Sequence, residues 1–434
     1  MTAYADKASI MAIGDSMYQG VRSLSITADR ARNSVPAIVA RALGRSMTLP
    51  LMRRPILYDI EVLIRQGGIL HLVDAVRQVA LQNVDAWINE PTWSSDEAYD
   101  NLALGGAAIS DLWEDDFATY WPKVLSYRDA IVANNGAVGD LVRNIAGLWY
   151  ALNVCFVLNP SRKANTPQAT ASPIDQVRDR KPDILLVNIG SNEGLFRAGF
   201  TGHYDDKAKA SIDAIPDKME TLADKLKAAV PQATQIYVNS LIRPRVIPNL
   251  SPRKIDYNYP HAGYFPEYIA HVGDGLSRLT ANDMRDFDNQ VLGINRQVQQ
   301  RMAAVLGPQL TFVDLYTASD GFDGKHYGDR GVAIPNAGIH LRNLPFETMF
   351  GHFSPCGVGG LDNMHPTVPG YTLMAKAVLD TMTNLAKPGL ATALDMDAAY
   401  AADALLQDLP ATYPLFAFEM ALLGSFGLLA DVSI

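Results

Sequence analysis

Apolar residues fall in short unbroken runs separated by amphipathic stretches. Residues 9–13 (SIMAI) end at Gly14, and 184–189 (ILLVNI) follow Lys181-Pro182-Asp183 and end at Gly190. Residues 235–241 (QIYVNSL) follow a proline-containing break, and 310–315 (LTFVDL) follow Gly307-Pro308. Runs of this length, apolar on both sides, predict strands of a parallel sheet covered on both faces. Helical signals lie between them. Ser34-Val35-Pro36 offers an N-cap and an early proline ahead of 37–43. Residues 217–230 place Met219, Leu222, Leu226 and Val230 at helical spacing, and Thr280-x-x-Asp283 predicts a capping box opening a helix to about Leu306. A further helix is expected over 370–385. The alternation predicts an open, doubly wound α/β fold.

Four stretches exceed a minimal α/β unit: about 47–98, 115–181, 242–275 and 318–360. The first carries a helical pattern (Ile60, Leu63, Ile64, then Leu72, Val76, Val79), the second is mixed, and the last two are rich in Tyr, Gly and Pro. They read as insertions walling the sheet edge. Residues 415–430 are nearly all apolar, broken by Glu419, Ser425 and two glycines. That length falls short of the roughly 20 residues a spanning helix needs. A helix packed on the body is expected there, with peripheral lipid contact or self-association as the functional alternative.

Composition narrows the class. The chain has 434 residues, 48% hydrophobic and 19% charged, with a formal charge of −9. That supplies a large core, argues against disorder, and gives no cationic excess for nucleic acid. Cys155 and Cys356, the two cysteines, are too few for a disulfide framework or a Cys-rich zinc site and are either two buried thiols or one bridge. The start, Met1-Thr2-Ala3-Tyr4-Ala5-Asp6-Lys7, has neither a basic segment nor an apolar one of signal-peptide type. Localisation stays open between cytoplasmic and secreted or periplasmic with a leader removed.

Four motifs carry candidate chemistry. Gly14-Asp15-Ser16 puts a serine just past a strand's carboxyl end, where open α/β sheets bind ligands. Asn101-Leu102-Ala103-Leu104-Gly105-Gly106-Ala107 runs a strand into two glycines, and Gly106 can offer an unobstructed N–H to a developing oxyanion. Gly190-Ser191-Asn192-Glu193 brings an asparagine amide to another strand end. In Asp362-Asn363-Met364-His365, an Asp three residues before a His can accept its Nδ1 proton and leave Nε2 as a base. Each alone is ordinary turn chemistry.

In this order the four blocks resemble the SGNH hydrolases, the GDSL esterase/lipase family. The resemblance spans about residues 9–385. The segment 34–44 is similar to the stretch after the family's nucleophile block, and 360–376 to its His block with trailing helix. Met17 replaces the leucine of the name motif, and Glu193 the usual aspartate. The resemblance implies a three-layer α/β/α, flavodoxin-like fold with a parallel sheet, the insertions forming a cap or wall. It implies one hydrolase domain over 1–390, because Ser16 and His365 must meet although 349 residues apart, with an apolar helical extension over 391–434. Ser16 is implied as nucleophile, His365 as base and then acid, and Asp362 as its orienter. The Ser16 N–H, the Gly106 N–H and the Asn192 amide are implied as oxyanion donors. No cofactor or metal is called for: the eight histidines are scattered, with no HExxH, Walker A loop or Gly-x-Ser-x-Gly elbow.

The expected activity is carboxylic-ester hydrolysis through an acyl-enzyme on Ser16. The expected partner is a small-molecule or lipid-like ester, not nucleic acid. Tyr257, Tyr259, Tyr264, Phe265 and Tyr268, with Met349, Phe350 and Phe353, either pack their insertions onto the core, the expectation for most of them, or form an apolar wall suited to acyl or aryl groups. The alternatives are a carbohydrate-ester deacetylase, which predicts a sugar platform from Trp87, Trp93, Trp113, Trp121 or Trp149, an acyltransferase, and a lipid-binding or adhesion module with a vestigial site.

Overall fold

The computed structural model describes residues 8–65, 72–94, 98–134, 136, 138–252, 263–271, 277–327, 330–345, 357–382 and 394–408. The four apolar runs form one parallel sheet, β1 (Ile10–Gly14), β2 (Ile184–Asn188), β3 (Gln235–Asn239) and β4 (Leu310–Val313), in that spatial order. Ile10 pairs with Ile184, Ile184 with Gln235, and Ile236 with Leu310, so all carboxyl ends point the same way. Residues 100–104 run beside β1's other edge. Ala12 N–H donates to Asp100 O at 2.9 Å, while Leu102 and Leu104 N–H donate to Ala12 O and Gly14 O at 2.8 and 2.9 Å.

Strand alternation sorts the side chains into two cores. Ile10, Ala12, Ile184, Leu186, Tyr237 and Val313 pack against the helices Val35–Ala42 and Val368–Thr381. Met11, Ile13, Leu185, Val187, Ile236 and Val238 face the opposite layer, which includes Ile215–Ala229 and Ala281–Leu306. This is the expected α/β/α arrangement. Ala281–Leu306 opens where the capping box predicts: Thr280 Oγ1 accepts from Asp283 N–H at 3.2 Å, and Asp283 accepts from Thr280 N–H at 2.8 Å. The helix at 215 starts two residues before the expected 217, because Pro216 is tolerated in a first turn that lacks intrahelical partners for its amides. Strands β3 and β4 stop two residues short of their apolar runs. After β4, Asp314 leaves the ladder and caps Leu315–Ala318 through Thr317 N–H.

The stretch read as mixed, 115–181, is mostly helical. Phe117–Ala133 and Val138–Leu158 pack on each other across a short connection. Val138–Leu158 is long and apolar enough to cross a membrane, yet two-thirds of that span is buried inside the fold. Its Phe156 stacks on Trp93 at 5.7 Å and meets Trp87 edge-on at 5.3 Å. Small antiparallel ladders occupy the later stretches, Leu250–Ser251 with Glu267–Ala270 and Arg278–Thr280, and Val332–Ile334 with Ile339–Leu341. Cys155 is a buried thiol. Cys356, Tyr257, Tyr259, Met349, Phe350, Phe353, residues 1–7 and the apolar segment 415–430 lie outside the described residues.

Candidate active site

The site is assembled at the carboxyl ends of β1 and β2. Gly14 has φ +152°, and a Cβ there would lie 2.1 Å from Asn188 O, so only glycine permits this approach of β1 to β2. Asp15 comes next and caps the short helix Ser16–Gln19, accepting Met17 N–H at 3.1 Å. This turn leaves Ser16 at the helix start, 3% exposed.

Ser16 Oγ lies 2.9 Å from His365 Nε2, and His365 Nδ1 lies 2.7 Å from Asp362 Oδ2. Asp362 Oδ1 accepts the N–H groups of Met364 and His365 at 3.0 and 2.9 Å. These bonds close the turn over Asn363, which takes a left-handed φ of 53°. Burial alone pushes the Asp362 carboxyl up. His365 and the two amides outweigh burial and hold it below its ordinary 3.8.

Gly106 has φ +88°, the left-handed region glycine adopts without penalty. The loop carrying it is bolted from two sides. Gly105 N–H donates to Gln19 Oε1 at 2.9 Å, and Asn192 Nδ2 donates to Ala107 O at 2.8 Å. Asn192 is thus held against the glycine block. Glu193 adds a third tie, accepting Ile109 N–H at 3.0 Å and pairing with Lys218 Nζ at 2.5 Å.

The cleft beside Ser16 and His365 is narrow and is walled by Met17, Leu195, Phe196, Leu241, Ile247 and Met364, among others. Of the aromatic residues weighed between wall and core packing, the three described ones pack. Tyr264 donates to Asp288 Oδ2, and Tyr268 sits 2.9 Å from His326 Nε2 with Phe265 packed beside it. Buried polar groups claim those hydroxyls, so the aromatic rings face inward and do not line the cleft. Trp87, Trp93 and Trp149 are also core, each 2% exposed or less, and none of the five tryptophans lines the cleft.

Sequence reasoning passed over a polar chain beneath the nucleophile. Asn239 Nδ2 donates to Asn188 Oδ1 at 2.9 Å, and Asn188 Nδ2 donates to Asp15 Oδ1 at 2.9 Å. The signal was present: both inner strands, ILLVN and QIYVN, end in asparagine. The apolar wall residues also sit just beyond strand ends, at 195–196 and 241–247. Among the described residues, no group of three or more His, Cys, Asp or Glu side chains could hold a metal ion.

A three-layer α/β/α fold around a parallel four-strand sheet is consistent with the SGNH hydrolase fold. The chain belongs to the GDSL-like lipase/acylhydrolase family, whose sequence model matches residues 10–378. Membership implies an ester hydrolase. No curated protein matches the chain. Among solved structures, phospholipase A1 from Streptomyces albidoflavus is similar at 13% identity and TM-score 0.36, over 86% of this chain and 99% of that one. An extracellular lipase from Streptomyces rimosus is similar at 15% identity and TM-score 0.35, over 87% of this chain and 100% of that one.

Proposed function

We propose that this acylhydrolase is a serine esterase or lipase acting on apolar acyl or aryl esters, with Ser16, His365 and Asp362 as its catalytic triad. The observation carrying the reading is the continuous series Ser16–His365–Asp362 at 2.9 and 2.7 Å, buried beside an apolar cleft. His365 takes the Ser16 proton as Oγ attacks the ester carbonyl, and Asp362 stabilises the imidazolium. The negative charge on the carbonyl oxygen is met by the Ser16 and Gly106 N–H groups and the Asn192 amide. Collapse expels the alcohol, which takes the proton from His365 and leaves an acyl-Ser16 ester. Water then gives a proton to His365 and attacks the acyl carbon. The acid departs and the proton returns to Ser16.

An apolar wall of Met, Leu, Ile and Phe supports a hydrocarbon substituent over a sugar, which would want exposed tryptophan platforms and polar groups. The test compares p-nitrophenyl acetate, butyrate and laurate, an aryl ester and acetylated sugars, using wild type and Ser16→Ala. Butyrate or laurate should exceed acetate in kcat/KM, and Ser16→Ala should lose about 10⁴-fold or more. Activity surviving in Ser16→Ala sinks the mechanism; preference for acetylated sugars sinks the substrate class.

A further inference from the structure

Asp362 has a partner far away in the chain. Its Oδ2, the oxygen facing His365, also accepts Leu24 N–H at 2.9 Å. Ser23 and Leu24 both adopt left-handed φ angles, 52° and 53°. Non-glycine residues stay in that region only where their surroundings over-determine them.

Here the determinant is a buried ionic cluster. Arg22 grips Glu61 with Nε and Nη2 at 2.8 and 2.9 Å, and its Nη1 meets Asp403 Oδ2 at 2.8 Å. The Ser23 hydroxyl donates to Glu61 Oε1 at 2.7 Å and accepts Leu361 N–H at 3.0 Å, one residue before Asp362. Gly360 makes room for this: a Cβ there would lie 2.7 Å from Arg22 Cγ and 3.0 Å from Ser23 Oγ. Asp403 has a second engagement. Its Oδ2 also accepts Val368 N–H at 2.7 Å, at the start of the helix after His365. Its Oδ1 accepts Leu405 and Leu406 N–H at 2.9 and 3.1 Å, anchoring it in its own turn. One fully buried carboxylate therefore touches both chain segments that converge on His365 and Asp362.

We propose that Asp403, which lies beyond the 10–378 family match, is a positioning residue for ester hydrolysis. Through Arg22 it keeps Leu24 N–H on Asp362, and through Val368 N–H it fixes the chain carrying His365. The segment 394–408 is then part of the working enzyme and not an appended tail. The inference rests on the triad reading above.

The experiment uses the full chain and the variants Asp403→Ala, Asp403→Asn and Ser23→Ala. Active sites are titrated with a p-nitrophenyl phosphonate, and kcat per titrated site and KM for p-nitrophenyl butyrate are measured beside a thermal melt. Asp403→Ala should lose about 10- to 100-fold in kcat per site, as small displacements of catalytic groups do. Its KM should stay within about 2-fold, since the lost interaction acts on the chemical step. Asp403→Asn, which keeps an acceptor for backbone amides but not the charge facing Arg22, should fall between Asp403→Ala and wild type. A purely structural role would lower the melting temperature and the titrated fraction while leaving kcat per site at the wild-type value, and that result overturns the proposal. If Asp403→Ala does not fold, Asp403→Asn and Ser23→Ala decide: reduced kcat per site supports the inference, and wild-type kcat in both overturns it. Failure of the triad reading is distinguishable, because it appears as activity retained by Ser16→Ala.

Discussion

Asp15, the carboxyl next to the nucleophile, is one whose ionisation the fold resists. Burial lifts its carboxyl from 3.8 to about 6, against the opposing pull of Met17 N–H, the Asn188 amide and His365. A group whose folded pKa is raised contributes stability that is complete below the unfolded value and is lost as pH rises through the folded value. Stability owed to Asp15 is therefore present below about pH 4 and gone above about pH 6. Asp15→Asn keeps an acceptor for Met17 N–H and removes this titration. Relative to that variant, the wild type should lose on the order of 2–3 kcal/mol between pH 4 and 6.5. Urea unfolding at several pH values measures the difference, and parallel stability curves would contradict it. Asp362 has the opposite sign. Its depressed pKa contributes stability above the ordinary carboxyl range that is lost as pH falls through the folded value.

Between residues and fold stand the loops at the strand ends, which hold one another. Glu193 ties the asparagine loop to the glycine loop through Ile109 N–H and is itself held by Lys218. Glu193→Ala should lower kcat per active site about 10-fold with little change in KM, because the proposed oxyanion donors Gly106 and Asn192 would lose their register. Glu193→Gln keeps the acceptor and should stay within about 2-fold of wild type; equal losses in both would assign the effect to charge instead. Much at this scale was legible in the sequence. Strands 10–14, 184–188, 235–239 and 310–313 announce themselves as apolar runs, and the capping box at Thr280 fixes its helix start. The four candidate blocks are contiguous motifs, so the local chain positions each one. What stayed hidden is what tertiary contact decides. Tyr264, Phe265 and Tyr268 fit a substrate wall and core packing alike until buried Asp288 and His326 claim the two tyrosine hydroxyls. The apolar wall that lines the cleft takes Met17 and Met364 from the motif blocks, but Leu195, Phe196, Leu241 and Ile247 from segments that no motif joins. Arg22, Glu61 and Asp403 are far apart in sequence, and their charges mark them as surface residues until the fold buries them together.

At the scale of the whole molecule, one sheet brings Ser16 and His365, 349 residues apart, to hydrogen-bonding distance. To the core on the far side of the sheet from Val35–Ala42, the intervening chain adds an aromatic group of Trp87, Trp93 and Phe156. If that core supports the fold without touching substrate, Trp93→Ala should cost about 3–5 kcal/mol of stability while KM for p-nitrophenyl butyrate stays unchanged. A large rise in KM without loss of stability would place Trp93 at the substrate instead. The proposed mechanism stands on acylation of Ser16. The most direct measurement is peptide-level mass spectrometry of the full chain after reaction with a p-nitrophenyl phosphonate, tracked against residual esterase activity. One adduct per chain is expected, on the peptide containing Ser16, formed in step with loss of activity and absent from Ser16→Ala. Stoichiometric inactivation with the adduct on another residue, or a Ser16 adduct that leaves activity intact, would contradict it.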